Sequence, residues 1–370
     1  MRIVVTGGAG FIGSHLSERL LDQGHEVIAV DDLSTGSPVN LLAMLDHPSF
    51  TFVRGSVLDT ALIDELISDC DRVFHLAAAV GVHNIVDQPL KSLRTNIEGS
   101  QRVLDAALRN DRRILITSTS EVYGKNTADL LDEESDRILG SPFKARWSYA
   151  AAKAIDELIA QTYWKDHGLR VVVARLFNTV GPRQTGRYGM VVPSLVSQAL
   201  RDEPLTVYGD GEQTRCFCHV DDIVPALISL LDTPAAYGEA VNLGNPVETS
   251  IVGLARTILK LTGSDAEIRF VPYRDAYGAG YEDMQRRIPD ITKARRLIAF
   301  TPVRDLDRII NEVAEDHRTR MLLERRRWRP AEPQPVRAPT ATVAPHSLTL
   351  PQRNGQPHVV SSGAHMDDVK

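Results

Sequence analysis

Cysteine is scarce in this chain: Cys70, Cys216 and Cys218 are the only ones among 370 residues. Three cysteines at such uneven spacing exclude a disulfide framework and a zinc site, and they suit a reducing compartment. No apolar run approaches membrane-spanning length, and no signal peptide precedes the first apolar segment, MRIVV. We therefore expect a cytoplasmic protein with no metal site and no membrane partner.

An excess of positive charge is missing as well. The formal net charge is −6, so the chain lacks the basic field on which nucleic-acid binding depends. One basic run, ERRRWR at residues 324–329, is interpreted as a solvated helix end. We expect no nucleic-acid partner. The hydrophobic content of 43% over 370 residues is enough for a substantial core and for more than one lobe.

Short β-branched segments alternate with helical periodicity in the first half of the chain. The segments RIVVT, EVIAV, RVFHLA, RILITS and RVVVARL predict strands, and those between them predict amphipathic helices. Strands that lack a polar face are typical of a parallel sheet covered by helices on both sides. The sequence therefore predicts an α/β fold with a doubly wound parallel sheet of the Rossmann type.

The pattern changes twice further along the chain. Residues 1–177 are predicted to form the Rossmann domain, to which a segment near 216–245 returns. Residues 178–329 are rich in loops, such as GPRQTGRYG and PYRDAYGAGYED, and predict a smaller substrate lobe. Residues 330–370 are rich in proline, contain no aromatic residue and predict a disordered tail.

A glycine-rich motif, TGGAGFIG, lies between the first strand and the first helix. Gly7, Gly10 and Gly13 would allow a tight turn and let a pyrophosphate approach the backbone at the helix N-terminus. Asp31 ends the second strand, where a carboxylate accepts hydrogen bonds from ribose hydroxyls and repels a 2′-phosphate. The pattern predicts NAD as the cofactor in preference to NADP.

A second motif, Tyr149-Ala-Ala-Ala-Lys153, opens a predicted helix. A spacing of four places both side chains on one helical face, so Lys153 can lower the pKa of the phenol and hold the nicotinamide ribose. Tyr149 then becomes a candidate general base. By itself this pattern is common on solvated helices. It gains weight from the glycine motif and from the hydroxyl-rich stretch STSEVYG about thirty residues upstream.

This combination of motifs resembles one family, the extended short-chain dehydrogenases, and within it the NAD-dependent nucleotide-sugar epimerases, dehydratases and decarboxylases. The resemblance runs from Met1 to about residue 327 and rests on TGGAGFIG, VDDLSTG, HLAA, STSEVYG, YAAAK, RLFNTVGPR, LTVYGDGEQTR and RRIPDI. It implies NAD as the cofactor and a UDP-sugar as the substrate. It also implies a homodimer, because the helices at about 96–109 and 149–167 resemble those of a four-helix dimer interface.

The resemblance implies specific site residues. For catalysis it implies Tyr149, Lys153, Thr119, Ser120 and Glu121, with Thr119 and Tyr149 at the sugar 4-hydroxyl. For NAD it implies Gly7, Gly10, Phe11, Ile12, Gly13, Asp31, Leu33, Ser34, Thr35, Gly36, Ser56, Val57, Leu76, Ala77, Ala78, Tyr149, Lys153 and Phe177. For the substrate it implies Asn178, Arg187, Val191, Tyr208, Gln213, Arg215 and Arg287. Asn178 would contact the diphosphate, Tyr208 would lie beside the base, and Arg215 and Arg287 would face the diphosphate or the sugar.

Three chemistries share the first step, in which Tyr149 removes the O4 proton while C4 is oxidised to a ketone. A 4,6-dehydratase uses an adjacent Asp-Glu pair, whereas this chain has Ser120-Glu121. A decarboxylase of UDP-glucuronate loses CO2 from the 4-keto sugar, and that branch shares the threonine, the glutamate and a motif like Arg287-Ile288-Pro289. A 4-epimerase returns the hydride to the opposite face of the sugar.

Between these, the sequence expectation is a UDP-sugar 4-epimerase that converts UDP-glucuronate to UDP-galacturonate. RLFNTVGPRQTGRYGMVVP resembles the epimerase branch, and the hydroxyls of Thr119 and Ser120 could hold a carboxylate in the ring plane, where decarboxylation is suppressed. UDP-glucuronate decarboxylase is the alternative, followed by UDP-glucose 4-epimerase and the dehydratase. A catalytically silent NAD-binding sensor or scaffold is a hypothesis of another class, which the intact Tyr149 and Lys153 disfavour.

Overall fold

The computed structural model describes residues 1–80, 89–144, 147–186, 189–277 and 284–327. Within them the strands are β1 Arg2–Thr6, β2 Glu26–Asp31, β3 Phe50–Arg54, β4 Arg72–His75, β5 Arg113–Thr119, β6 Val171–Leu176, β7 Thr179–Val180, β8 Leu205–Tyr208, β9 Thr214–Cys216, β10 Cys218–His219, β11 Ala240–Leu243, β12 Glu248–Ser250 and β13 Ile268–Val271. The helices are α1 Phe11–Asp22, α2 Thr60–Ser68, α3 Pro89–Arg109, α4 Ser148–His167, α5 Val191–Ala199, α6 Val220–Asp232, α7 Ile251–Thr262, α8 Tyr273–Tyr277, α9 Thr292–Ile298 and α10 Leu306–Arg327.

Seven parallel strands form the main sheet in the order β11-β6-β5-β4-β1-β2-β3. The predicted strands of the first half of the chain all belong to it, and the predicted doubly wound α/β fold is confirmed. The order reverses direction at β1, with β2 on one side and β4 on the other. A crevice forms at such a switch point, outside the carboxyl ends of the strands, where α/β proteins bind their ligands.

Apolar residues cover both faces of the sheet, as the absence of a polar face in the strands predicts. Ile3 and Val5 of β1 pack with Leu16 of α1 and Leu227 of α6 on one face. Val4 packs on the other face, in the cluster that contains residues of α2 and α3. Successive side chains of a strand point to opposite faces, so β1 contributes to two cores at once.

The later part of the chain builds smaller elements around a third core. Strand β8 pairs with β13, β9 pairs with β12, and β7 pairs with β10. Val196 of α5, Ile258 of α7 and Ile310 of α10 pack in this core. Residues 1–326 form one compact unit. The division into a cofactor domain and a substrate lobe stays a prediction, and the predicted tail lies outside the described residues.

The three cysteines are free and buried. Among the described helices, none combines the length and apolar character needed to cross a membrane.

Candidate active site

The turn between β1 and α1 brings bare backbone to the carboxyl edge of the sheet. Gly7 has φ +71°, and a Cβ built there would lie 2.7 Å from the backbone nitrogen of Ala77. At Gly13 a Cβ would lie 2.1 Å from the carbonyl oxygen of Gly7. Side chains at these positions would collide with backbone, so the close approach requires glycine. Helix α1 starts directly after Gly10 and has no acidic residue in its first turn, so its positive dipole end is available to an anion.

Asp31 lies at the end of β2, beside this turn, and is 9% exposed. Its Oδ2 accepts a hydrogen bond from the backbone N–H of Ala9 at 3.0 Å, and its Oδ1 accepts one from Leu33 at 2.8 Å. Burial raises the pKa of Asp31, and these backbone hydrogen bonds act in the opposite direction. The bonds fix the carboxylate at the cavity wall, where it can accept hydrogen bonds from hydroxyl groups.

A cavity of about 700 Å³ extends along the carboxyl edge of the sheet. Most of the predicted site residues line it, namely Gly7, Gly10, Phe11, Ile12, Gly13, Asp31, Ser34, Thr35, Val57, Leu76, Ala77, Ala78, Thr119, Ser120, Glu121, Tyr149, Asn178, Val191, Tyr208, Gln213, Arg215 and Arg287. The glycine turn, the free helix dipole and the fixed carboxylate of Asp31 fit a dinucleotide whose pyrophosphate meets the turn and whose ribose meets Asp31. Arg187 lies outside the described residues.

Five predicted site residues do not line the cavity, and their direct contact with a ligand stays a prediction. Phe177 is 0% exposed and packs beside Tyr123, with ring centroids 6.1 Å apart, so it belongs to the core. The N–H of Leu33 donates to the Asp31 carboxylate, and a Cβ at Gly36 would lie 2.7 Å from Oδ1 of Asp31. Both residues therefore support that side chain. Ser56 Oγ accepts a hydrogen bond from the N–H of Leu58 and shapes a turn. The fifth residue, Lys153, is described below.

Tyr149 lies at the start of α4 and faces the same cavity as the end of β5. Thr119 Oγ1 accepts a hydrogen bond from the N–H of Glu121 at 3.2 Å, which caps the short 3-10 helix Ser120–Tyr123 and leaves the threonine hydroxyl proton to donate elsewhere. Burial raises the pKa of Tyr149, and the nearby carboxylates of Glu121 and Asp156 raise it further. The stretch STSEVYG thus brings a hydroxyl and a carboxylate beside the candidate base.

Lys153 lies one turn after Tyr149 and is 2% exposed. Its Nζ lies 3.1 Å from Oδ2 of Asp156, which is itself 1% exposed. The ammonium is therefore balanced by a buried carboxylate. Burial and the carboxylates of Glu121 and Asp156 raise the pKa of Tyr149, and the lowering of that pKa by Lys153 stays a prediction. Sequence reasoning missed Asp156, which no motif marks.

The opposite wall carries the predicted substrate residues. Gln213 donates from Nε2 to the carbonyl of Tyr208 at 3.0 Å and to the hydroxyl of Tyr273 at 2.9 Å. Tyr273 also lines the cavity and was missed; it lies in the segment PYRDAYG, which was predicted as a loop and forms the short helix α8. Arg215 and Arg287 are 8% and 5% exposed. Two nearly buried guanidinium groups on a cavity wall suit an anionic ligand such as a diphosphate.

One group of candidate metal ligands was found within the part of the chain that the structure describes: His219, Asp221 and Glu312. Arg308 donates to Glu312 at 2.7 Å, and Arg304 lies 3.5 Å from Asp221. Guanidinium groups at both carboxylates fit an ion-pair cluster better than a cation site. The expected absence of a metal stays a prediction.

Comparison with known proteins gives relatives that match most of the chain. This chain is 40% identical over 306 residues to UDP-N-acetyl-alpha-D-glucosaminuronate decarboxylase of Bacillus cytotoxicus. The aligned region covers 81% of this chain and 92% of the relative. It is 38% identical over 338 residues to UDP-glucuronic acid decarboxylase 1 of Xenopus tropicalis, with coverage of 91% and 76%.

Solved structures with the same fold come from related enzymes. UDP-glucose 4-epimerase of Thermotoga maritima, solved with UDP-glucose, has a TM-score of 0.78 at 31% identity and covers 87% of this chain and 100% of its own. UDP-glucuronic acid 4-epimerase of Bacillus cereus, solved with UDP-glucuronic acid and NAD, has a TM-score of 0.77 at 30% identity, with coverage of 86% and 99%. The model of the NAD dependent epimerase/dehydratase family matches residues 3–244. The chain therefore belongs to this family of enzymes, whose cofactor is NAD.

Proposed function

We propose that this protein is a decarboxylase of a UDP-linked uronic acid. The observation that carries the proposal is the identity of 38–40% to two UDP-uronate decarboxylases over most of the chain. The sugar in the substrate of the first relative has a 2-acetamido group, and the sugar in the substrate of the second has a 2-hydroxyl group. Both substrates have the C5 carboxylate that the reaction removes. UDP-glucuronate and UDP-N-acetylglucosaminuronate are therefore the candidate substrates.

The residues of the cavity fit the first step of this chemistry. Tyr149 would take the O4 proton, and the Thr119 hydroxyl would donate a hydrogen bond to the same oxygen. NAD bound along the glycine turn would accept the C4 hydride and later return it. Arg215 and Arg287 would hold the diphosphate, which fixes the sugar against Tyr149.

Loss of CO2 follows from the position of the new ketone. The C5 carboxylate is β to the C4 carbonyl, so the C5–C6 bond breaks with its electron pair delocalised into the carbonyl. A proton then replaces the carboxylate on C5, and the overall reaction consumes one proton. Glu121 lies beside Tyr149 and would orient the carboxylate for this cleavage, or carry the proton, at the cavity wall.

A UDP-glucuronate 4-epimerase is the second candidate. It was the first expectation from the sequence, and the Bacillus cereus structure with UDP-glucuronic acid and NAD supports it at 30% identity. The higher identity to the decarboxylases places it second. Both candidates use the same 4-keto intermediate, so they share every role given above to Tyr149 and Thr119.

Product analysis separates the two candidates. Purified protein is incubated with NAD and either UDP-glucuronate or UDP-N-acetylglucosaminuronate, and the nucleotide sugars are separated and weighed by mass spectrometry. We expect a product lighter by one CO2. A product of unchanged mass and altered retention would replace this proposal with the epimerase. Glu121→Gln is expected to abolish release of CO2, whereas Glu134→Gln, an exposed glutamate on a nearby loop, serves as the matched control.

We also propose a homodimer formed through α3 and α4. Leu90 on α3 is 65% exposed, and Ile155 and Leu158 on α4 are 41% and 64% exposed. Apolar side chains on two helices that pack together offer a surface for a second copy. Light scattering at micromolar concentration should give the mass of a dimer, and Leu158→Arg should give a monomer. Val303→Arg, at another exposed apolar residue, should leave the dimer intact; a monomeric wild-type protein would refute the proposal.

A further inference from the structure

Helix α4 carries three polar side chains along one buried face. Tyr149, Lys153 and Asp156 follow at spacings of four and three, which place them on the same side of a helix. The first lines the cavity, and the other two lie beneath it at 2% and 1% exposure. The carboxylate of Asp156 thus lies behind the candidate base, with the ammonium of Lys153 as its charged partner at 3.1 Å.

Asp156 is anchored by a series of hydrogen bonds that links it to residues of α3, β4 and β1. Ser100 of α3 donates to Oδ2 of Asp156 at 2.9 Å, and Nε2 of His75 lies 3.1 Å from the serine oxygen. Nδ1 of His75 lies 2.7 Å from Oγ1 of Thr6, which also accepts the N–H of Ala77 at 3.3 Å. The anchors come from β1, β4 and α3, so they fix the carboxylate firmly.

One assignment of protons satisfies every member of this chain. Ala77 donates to Thr6, Thr6 donates to Nδ1 of His75, Nε2–H of His75 donates to Ser100, and Ser100 donates to Asp156. The histidine is neutral in this assignment, in agreement with a pKa that burial lowers to about 3. Every hydrogen bond then points towards Asp156. The series of hydrogen bonds ends on one oxygen, Oδ2 of Asp156, which accepts from both Ser100 and Lys153. Burial raises the pKa of Asp156, and the Lys153 ammonium and these two hydrogen bonds favour its ionised form.

We propose that Asp156 is a positioning residue of the active site. It holds the Lys153 ammonium beneath the cavity, and its negative charge opposes the loss of the proton from Tyr149. With Asp156 in place, the ammonium already has a buried anion. Without it, the phenolate of Tyr149 becomes the anion on the same helix face that can balance Lys153. The negative charge of Asp156 therefore opposes ionisation of Tyr149, and its removal favours ionisation.

Other charged groups also lie near Tyr149 and Asp156 and affect the ionisation of these residues. Glu121 approaches Tyr149 from the short helix after β5, and Glu157 follows Asp156 on α4. Glu157 is held by Arg175 of β6 at 2.9 Å, with Arg137 at 3.3 Å. The neutral His75 adds no charge.

Of these groups, Asp156 is the one whose oxygen contacts Lys153, so its replacement changes the charge at the ammonium most directly. Its second oxygen, Oδ1, has no hydrogen-bond partner among the described residues.

The inference rests on the proposed role of Tyr149 as the base, and not on whether CO2 is released. The test is Asp156→Asn, which keeps the shape and the acceptor oxygen but removes the charge. The pH dependence of turnover on UDP-glucuronate, by whichever product forms, is measured together with a titration of tyrosine labelled with ¹³C at Cζ. Tyr149→Phe assigns the signal by its loss. We expect the acidic limb of the rate profile and the Tyr149 signal both to move down by about one pH unit.

Two further variants separate charge from structure. Asp156→Glu restores the negative charge and should return the titration towards the wild-type value, although kcat falls because the geometry changes. Ser100→Ala removes a hydrogen bond and keeps the charge, so its shift should be less than half that of Asp156→Asn. Should Asp156→Asn not fold, Asp156→Ser tests the same loss of charge.

An unchanged Tyr149 titration in the charge-removing variants would overturn the proposal, and so would an equal shift in Ser100→Ala. Absence of turnover on every uronate would count against the proposed function, while the tyrosine titration would still decide the role of Asp156.

Discussion

Two buried polar networks lie next to each other, and each includes one carboxylate of α4. Glu157 is bound through both oxygens by Arg175, at 2.9 Å each, and Ser118 donates to it at 2.5 Å. Asp156, its neighbour in the sequence, has Lys153 and Ser100 on one oxygen only. Adjacent positions of one helix thus carry one saturated carboxylate and one that is half satisfied.

The Glu157 network continues into the scaffold through Arg175, whereas the Asp156 network includes Lys153, one turn after the candidate base. Arg175 also donates to the hydroxyl of Tyr123, which donates to Asn242 of β11. Buried polar groups that are fully paired fix one arrangement of the chain, and partly paired ones are typical of sites that change protonation or bind a ligand. The comparison predicts that changes in the first network reduce stability and changes near the second alter activity.

The largest expected effect is on turnover. In the proposed mechanism Tyr149 accepts the O4 proton, so Tyr149→Phe should lower kcat by about 10²–10⁴, the range of a general base. Binding of UDP-glucuronate, measured by calorimetry, should stay close to that of the wild type because the proposed diphosphate contacts of Arg215 and Arg287 do not involve Tyr149. A Tyr149→Phe enzyme with nearly full kcat would break the assignment of activity to this side of α4.

The next largest effect is on stability. Glu157→Gln leaves the buried Arg175 without its charged partner, and the free energy of unfolding should fall by about 3–5 kcal/mol. Urea denaturation followed by circular dichroism measures it. Asp156→Asn, at the adjacent carboxylate, should cost less, because fewer groups depend on it. If the two variants were equally destabilised, the contrast between the networks would be lost.

Asp31, a third buried carboxylate, can be compared with Asp156 and Glu157 through its effect on NAD binding. Asp31 accepts backbone N–H groups and lines the cavity, so Asp31→Ala should weaken NAD binding by about 2–4 kcal/mol, the cost of a pair of charged hydrogen bonds. Titration calorimetry with NAD gives the value. Asp32→Ala is the matched neighbour and should lose less affinity; an unchanged affinity in Asp31→Ala would refute the ribose contact.

The smallest effect is a pH dependence of stability from His75. Its pKa is about 3 in the folded protein against an ordinary 6.5, so only the unfolded chain takes up a proton between these values. Stability is therefore lost as pH falls through this window, by about 1.4 kcal/mol per pH unit. Denaturation of His75→Gln at pH 6 and pH 5 should show a slope smaller by that amount.

The sequence predicted the features that depend on local spacing. The glycine turn, Asp31, Tyr149 and the end of β5 meet at one edge because parallel strands bring their carboxyl ends together. The pairing of Lys153 could not be predicted, since it depends on a carboxylate three residues later and on Ser100, about fifty residues away.

The same limit applies to two aromatic residues. Phe177 follows a strand that was predicted correctly, but whether its ring faces the cavity or the core depends on Tyr123 and its neighbours. Tyr273 begins the short helix α8, more than one hundred residues after Tyr149, and no motif marks it.

The last strand of the sheet has a consequence for how the protein is made. Strand β11 pairs with β6, and Asn242 within it closes the Arg175 network, yet it follows β6 by more than sixty residues of chain. A ribosome must therefore synthesise α5, α6 and the elements between them while the edge of β6 stays open. We expect a nascent chain that stops at residue 230 to be sensitive to protease at β6, and a chain extended past residue 244 to become resistant.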